Sequence, residues 1–260
     1  MKLIRLATIT ALSATVFAGG LTAFAEETRE VTTNGQIEFT PNEDEELVVT
    51  PPESEPDVEI TPEVPGTTGP LSIMKAATMN FGSQVISNQD QTYNMVAEMA
   101  TLANPEEDGP TEVPYVSFAQ VQDVRGTNAG WDLQVSLSDF TSNTQNSVLT
   151  GAQIELADSR IQYEGRNQEN APTAHANGMK LIPNAGAVSV MTAEEEKGAG
   201  VSSVVWGNQA NLDTQFAADG NNIVTNDAIK LFIPGATAKD ATTYTSTLNW
   251  ELTSTPSVDV

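Results

Sequence analysis

Two well-separated tripeptides, Trp131-Asp132-Leu133 and Trp250-Glu251-Leu252, carry the residue types in this chain best suited to recognition chemistry. An indole offers a flat apolar face to the C–H faces of a sugar ring, while carboxylate and amide neighbours can bond its hydroxyls. Each tripeptide sits in a run of period two. Trp131, Leu133, Val135 and Leu137 alternate with Asp132, Gln134, Ser136 and Ser138, and Leu248, Trp250 and Leu252 alternate with Asn249, Glu251 and Thr253. Both runs therefore read as half-buried β-strands with the tryptophan on the leucine face. Packing against another sheet is the ordinary consequence, and lining a sugar-binding cleft is the alternative. An indole can do both, one edge in the core and the other in a groove. Trp206, in Val204-Val205-Trp206-Gly207, has no leucine two positions on and reads as core.

Catalysis has little to draw on. The single histidine, His175, lies in a stretch from Ala171 to Gly178 with the composition of a loop, and reads as an exposed loop residue. No G-x-S-x-G elbow is present to pair with it. Glycoside hydrolysis would need two carboxylates about 5 to 10 Å apart in a cleft, and in so acidic a chain sequence proximity of carboxylates has no specificity. Oxygen ligands occur in Asp219-Gly220-Asn221-Asn222 and in Asn104-Pro105-Glu106-Glu107-Asp108, but neither matches an EF-hand loop, and both read as turns. The expectation is no enzyme activity and no cofactor, with a weak surface site for a divalent cation as the alternative.

The elements that would position the tripeptides are mostly strands. Short runs of strand formers recur at Leu71 to Ile73, Tyr115 to Phe118, Val121 to Val124, Trp131 to Phe140, Ala152 to Leu156, Lys180 to Ile182, Val188 to Met191, Val201 to Trp206, Ile229 to Ile233 and Tyr244 to Leu252. Gly, Asn, Asp and Pro punctuate them. The pattern predicts an all-β fold, an antiparallel β-sandwich of Greek-key or jelly-roll type, with at most one short helix. That helix is expected over Thr92 to Ala103, where Met95, Met99 and Leu102 recur at i, i+4 and i+7 before Asn104-Pro105.

The N-terminal part has a different character. Lys2 and Arg5, the apolar stretch from Leu6 to Ala18 and Ala23-Phe24-Ala25 before Glu26 have the form of a secretory signal peptide over residues 1–25. No later segment approaches the roughly twenty apolar residues of a transmembrane helix, so release from the membrane is expected. Loss of the signal would take the formal net charge from −24 to about −26. Nucleic acid is an unsuitable partner for such a chain, and an anionic cell surface would have to be bound through stacking, neutral hydrogen bonds or bridging cations. There are no cysteines, which excludes disulfides and thiol chemistry. Residues 26–70 read as an acidic, proline-rich linker. Thirteen acidic residues stand between Glu26 and Gly66 against Arg29 alone, and prolines recur from Pro41 to Pro70. Such a segment predicts a disordered, extended spacer with a reach on the order of 100 Å. Alternatively, Val31 to Phe39 adds a strand to a partner or to the domain itself.

Taken together, these motifs resemble the WxL-domain surface proteins of Gram-positive bacteria, named for Trp-x-Leu motifs in a C-terminal domain. The resemblance runs from Leu71-Ser72-Ile73 and Phe81-Gly82 through Asp123-Val124-Arg125-Gly126 and Gly130-Trp131-Asp132-Leu133 to Tyr244 through Leu252, followed by Pro256. It implies a wall-binding domain over residues 71–260, secreted and held non-covalently at the cell wall by peptidoglycan, acting in complexes with other exported surface proteins and without catalysis. Carried over by position, the wall-binding motif is Trp131, Asp132 and Leu133 with Trp250, Glu251 and Leu252. The last residue given, Val260, follows no Leu-Pro-x-Thr-Gly sorting signal, which fits non-covalent retention. The rival expectation is a subunit of a surface complex whose β-domain binds a protein, by strand addition at an exposed edge. In either case the two motif strands are expected to lie side by side.

Overall fold

Among the described residues the regular structure is almost entirely short, paired strands. The computed structural model describes residues 31, 34–41, 48–218 and 223–254. The segment 1–25, the Asp219–Asn222 stretch and Pro256 lie outside the described residues. The chain divides into two units, 1–38 and 39–260. In the first, the described residues are exposed and without regular structure. No strand forms among the described residues of the Val31 to Phe39 stretch.

The second unit is built from antiparallel strands. The first eight are β1 (Val58–Glu59), β2 (Leu71–Lys75), β3 (Gln91–Val96), β4 (Glu98–Leu102), β5 (Glu112–Tyr115), β6 (Ser117–Asp123), β7 (Trp131–Leu137) and β8 (Gln153–Leu156). They are followed by β9 (Arg160–Tyr163), β10 (Thr173–Ala174), β11 (Met179–Leu181), β12 (Val188–Ala193), β13 (Gly200–Trp206), helix α1 (Gln209–Ala218), β14 (Thr225–Ile233) and β15 (Leu248–Thr253). The antiparallel all-β expectation holds. The strands are distributed over four sheets, ordered β1-β4-β5, β10-β12-β7-β15, β11-β8-β14-β3 and β2-β6-β13-β9, a division that the expected two-sheet sandwich did not contain.

The three four-stranded sheets share one apolar core, in which Trp131, Leu133, Ile154, Leu156, Val204, Trp206 and Ile229 are buried. Strand β6 is buried at every position, as expected of a strand covered on both faces. A second core, around Tyr115, Phe118, Val205 and Leu212, joins the three-stranded sheet to α1. Lys75 lies in this region, bonded to Glu98 at 3.1 Å and held 4.4 Å above the Phe118 ring.

The helix expected over Thr92 to Ala103 is absent, and β3 and β4 occupy its place. Met95 is fully buried whereas Met99 is 52% exposed, so the methionine spacing marked no common face. Pairing of β3 with β14 and of β4 with β1 and β5 satisfies the backbone there, and such tertiary pairing overrides weak helix propensity. The helix that does form, α1, starts at Asn208, whose Oδ1 accepts from the Asn211 amide at 3.1 Å as an N-cap.

The spacer is also shorter than its composition implies. Val49 and Val58 are buried, and β1 pairs with β4 through Val58 opposite Leu102. Gln120, itself buried, donates to the Thr50 carbonyl at 2.7 Å and accepts from the Thr50 amide at 3.1 Å. Glu53 forms an ion pair with Arg160. The Tyr115 hydroxyl donates to the Glu53 carbonyl at 2.9 Å and accepts from its amide at 2.8 Å. Burial pushes the Tyr115 phenol up to about 12, so it remains a neutral donor. A few valines and backbone bonds thus order the end of an otherwise acidic segment. Tyr115→Phe is expected to lower stability by about 1–2 kcal/mol, since two buried-side bonds lose their partner. Urea denaturation checks the size, and faster proteolytic cutting between residues 48 and 56 should accompany it.

Candidate functional site

The two motif strands are neighbours. β15 pairs antiparallel with β7, placing Trp250 opposite Val135, Leu252 opposite Leu133 and Thr253 opposite Asp132. Trp131 and Trp250 share a face, but they are offset by four positions along the ladder, roughly 14 Å at strand rise. The indoles therefore have separate surroundings.

Trp131 is 0% exposed, and its Nε1 donates to the Gly198 carbonyl at 3.0 Å. Both flanking glycines are required for this. Gly130 has φ +72°, and a Cβ there would come within 2.4 Å of the Ala193 carbonyl oxygen; at Gly198, with φ +73°, a Cβ would lie 2.7 Å from the Trp131 indole nitrogen. The entry into β7 is set by Arg125, which forks onto Asp123 at 2.9 and 2.8 Å and donates to the Gly130 carbonyl at 2.8 Å. The Asp123-Val124-Arg125-Gly126 and Gly130-Trp131 segments are thus one turn that delivers the indole to the core.

Asp132 points to the opposite face of the sheet and is also 0% exposed. Its carboxylate accepts from Thr192 Oγ1 at 2.6 Å, from Ser189 Oγ at 2.7 Å and from Gln134 Nε2 at 2.5 Å. Ser189 and Thr192 flank an irregularity where β12 inserts an extra residue opposite β7. The carboxylate straddles that bulge and fixes the register of β12 on β7.

Trp250 is half-buried and meets Trp206 at a ring-centre distance of 6.4 Å with planes tilted by 53°. Trp206 is buried, as expected, and its Nε1 donates to His175 Nε2 at 2.8 Å. The two rings stack with centres 5.9 Å apart. His175 is therefore no exposed loop residue: it is half-buried between an indole and its own chain, with Nδ1 donating to the Ala176 carbonyl at 2.7 Å. That arrangement uses the neutral ring, with Nε2 as acceptor, and burial lowers its pKa below the ordinary value of 6.5. Neither the lone histidine nor Trp206 carried a local signal of this contact, because it joins the loop after β10 to the distant strand β13.

A pH dependence follows. A histidine whose folded pKa is depressed contributes stability that is complete above its unfolded value and is lost as pH falls through the folded value. The melting temperature of the wild type relative to His175→Asn should therefore be highest near about pH 7.5 and shrink as pH is lowered below about 6.5. A difference that is constant with pH would refute the assignment.

Of the six motif residues, Trp131, Asp132 and Leu133 are fully buried, Trp250 and Leu252 are half-buried, and Glu251 is exposed. The second motif alone presents its indole to solvent. Around it, Asn249 and Glu251 point outward on β15. Among the described residues no cluster of three or more His, Cys, Asp or Glu is placed to hold a metal ion. Nor is any helix among them long and apolar enough to cross a membrane.

A family model described as WxL domain surface cell wall-binding matches residues 26–256. The chain belongs to the WxL family. No curated protein and no solved structure matches it significantly. The match includes the acidic segment from residue 26 as well as the β-domain, and the WxL family is one of cell wall-binding surface domains rather than of enzymes.

Proposed function

We propose that this WxL protein is exported through a signal peptide at residues 1–25 and is retained non-covalently on the Gram-positive wall by binding peptidoglycan. The observation that carries the proposal is the pairing of both WxL motifs on β7 and β15 in a chain matched by the wall-binding family model. The buried first motif builds the sheet, and the half-buried second motif lies at its border. Recognition without charge suits an acidic chain against an acidic wall, since neutral hydrogen bonds and stacking add no like-charge contact to the net repulsion that binding must overcome. The binding needs no cofactor, so a chelator should leave it unchanged.

Co-sedimentation of the purified protein with peptidoglycan sacculi stripped of anionic polymers is the test. Saturable binding that survives EDTA is expected, and absence of binding by folded protein would overturn the proposal.

A second reading has its own support. In the order β10-β12-β7-β15 the motif strand β15 is, among the described residues, the terminal strand, the position at which a sheet is extended by strand addition. Retention would then run through another exported surface protein. Under this reading the protein sediments with whole cell envelopes but not with bare sacculi.

A further inference from the structure

One large concavity contains none of the six motif residues. It is a groove of about 940 Å³ within the second unit, floored by Tyr93, Phe140, Leu149, Leu231 and Ile233. Its walls are residues 79–86 on one side and 239–246 on the other. The volume falls in the range of about 300–1,000 Å³ usual for small-ligand sites. Both walls belong to segments that the family resemblance singled out, Phe81-Gly82 and the stretch opening at Tyr244, although neither wall is a motif strand.

The walls are fixed without regular secondary structure. Phe81 is buried in the main core, the Asn80 carbonyl accepts from Val96 N at 2.8 Å, and Gln84 Nε2 donates to the Phe81 carbonyl at 2.7 Å. At one end of the groove Lys239 links the segments that follow and precede the two walls, donating to the carbonyls of Ser87, Pro234 and Thr237 at 3.1, 3.2 and 2.8 Å. On the far wall the Tyr244 hydroxyl donates to the Asn146 carbonyl at 2.7 Å, and Asp240 accepts from Asn146 N and Nδ2 at 2.8 and 2.7 Å.

The lining has a distinct chemistry. One wall ends in Val85, 88% exposed, and Ile86, while the other carries the hydroxyls of Thr242, Thr243, Thr245 and Ser246. Lys239 and Asp240 are its only ionisable groups apart from the tyrosines, and they cancel, in a chain of net charge −24. A smaller cavity of about 420 Å³ is lined instead by Glu59, Glu63, Glu98 and Glu112 against Lys75. A carboxylate-bearing polymer is thus repelled from the acidic cavity and tolerated in the groove.

We infer that this groove seats a short run of N-acetylated amino-sugar units of the wall glycan. Sugar faces lie against the half-exposed rings of Tyr93 and Tyr244, acetamido methyls lie against Val85 and Ile86, and hydroxyls bond the threonine wall. The inference rests on the peptidoglycan-binding proposal and assigns the contact to a place away from the Trp-x-Leu residues.

Two groove variants test it, Thr243→Trp, which fills the space without changing charge, and a Val85→Ser, Ile86→Ser double change, beside a Gln162→Ala control at an exposed position on β9. Each is first checked for an unchanged melting temperature, and each is then sedimented with stripped sacculi. The groove variants should bind at least tenfold more weakly, with the control within twofold of wild type. Glycan strands freed of stem peptide should compete with the sacculi. Wild-type binding that the groove variants retain would overturn the groove and leave the peptidoglycan proposal standing, as would competition by stem peptides alone. Failure of the wild type to bind would overturn both.

Discussion

Trp131→Ala is expected to cost the domain about 3–5 kcal/mol, the range for removing a fully buried aromatic side chain. The indole fills the main core and leaves no solvent-facing surface. Its loss opens a cavity and leaves the Gly198 carbonyl without its donor. Against a total stability of about 5–15 kcal/mol for an ordinary domain, that is a large fraction. Chemical denaturation followed by circular dichroism should show the midpoint fall sharply, whereas Trp250→Ala, at a half-buried position, should cost about 1–2 kcal/mol. Loss of wall binding in Trp131→Ala would therefore report unfolding. Trp131→Phe keeps most of the packing and discriminates the two, and a stable Trp131→Ala protein that has lost binding would disprove the purely architectural role.

The second large effect lies at the residue between the tryptophan and the leucine. Asp132→Ala removes a buried acceptor from Thr192, Ser189 and Gln134 together, and is expected to cost about 2–4 kcal/mol because bonds to a charged acceptor are strong and buried donors are left without it. The damage should concentrate at the β7–β12 bulge, so hydrogen exchange of β12 amides should accelerate more than that of β6 or β13. Asp132→Asn, which retains an oxygen acceptor, should lose less. A uniform acceleration over the whole domain would show that the carboxylate does not act through the bulge. The corresponding position in the second motif, Glu251, is exposed, and Glu251→Gln should leave stability unchanged within about 0.5 kcal/mol.

These two residues show why equal motifs have unequal parts. In sequence, Trp131-Asp132-Leu133 and Trp250-Glu251-Leu252 are equivalent: both alternate and both place the indole on the apolar face. In the fold, β7 is interior to its sheet, flanked by β12 and β15, while β15 is terminal. An interior strand is covered by neighbours on both sides, and a terminal one is covered on one. Burial follows from that position, which no local pattern encodes.

The sequence by itself determined the class of the fold, the strand character of both motifs, the core position of Trp206 and the family, because alternation of apolar residues and turn-forming punctuation act locally. It misread Thr92 to Ala103, where helical spacing of methionines coincided with two strands, since pairing to β14, β1 and β5 outweighs a weak local preference. It extended the acidic spacer too far, since Val49, Val58 and the Tyr115 clasp on Glu53 act against composition. The tertiary structure alone decided the division into four sheets, the cluster of His175, Trp206 and Trp250 and the groove between residues 79–86 and 239–246. Each of these joins segments far apart in the chain, and such contacts depend on how strands are ordered in space rather than on the spacing of residues within any one of them.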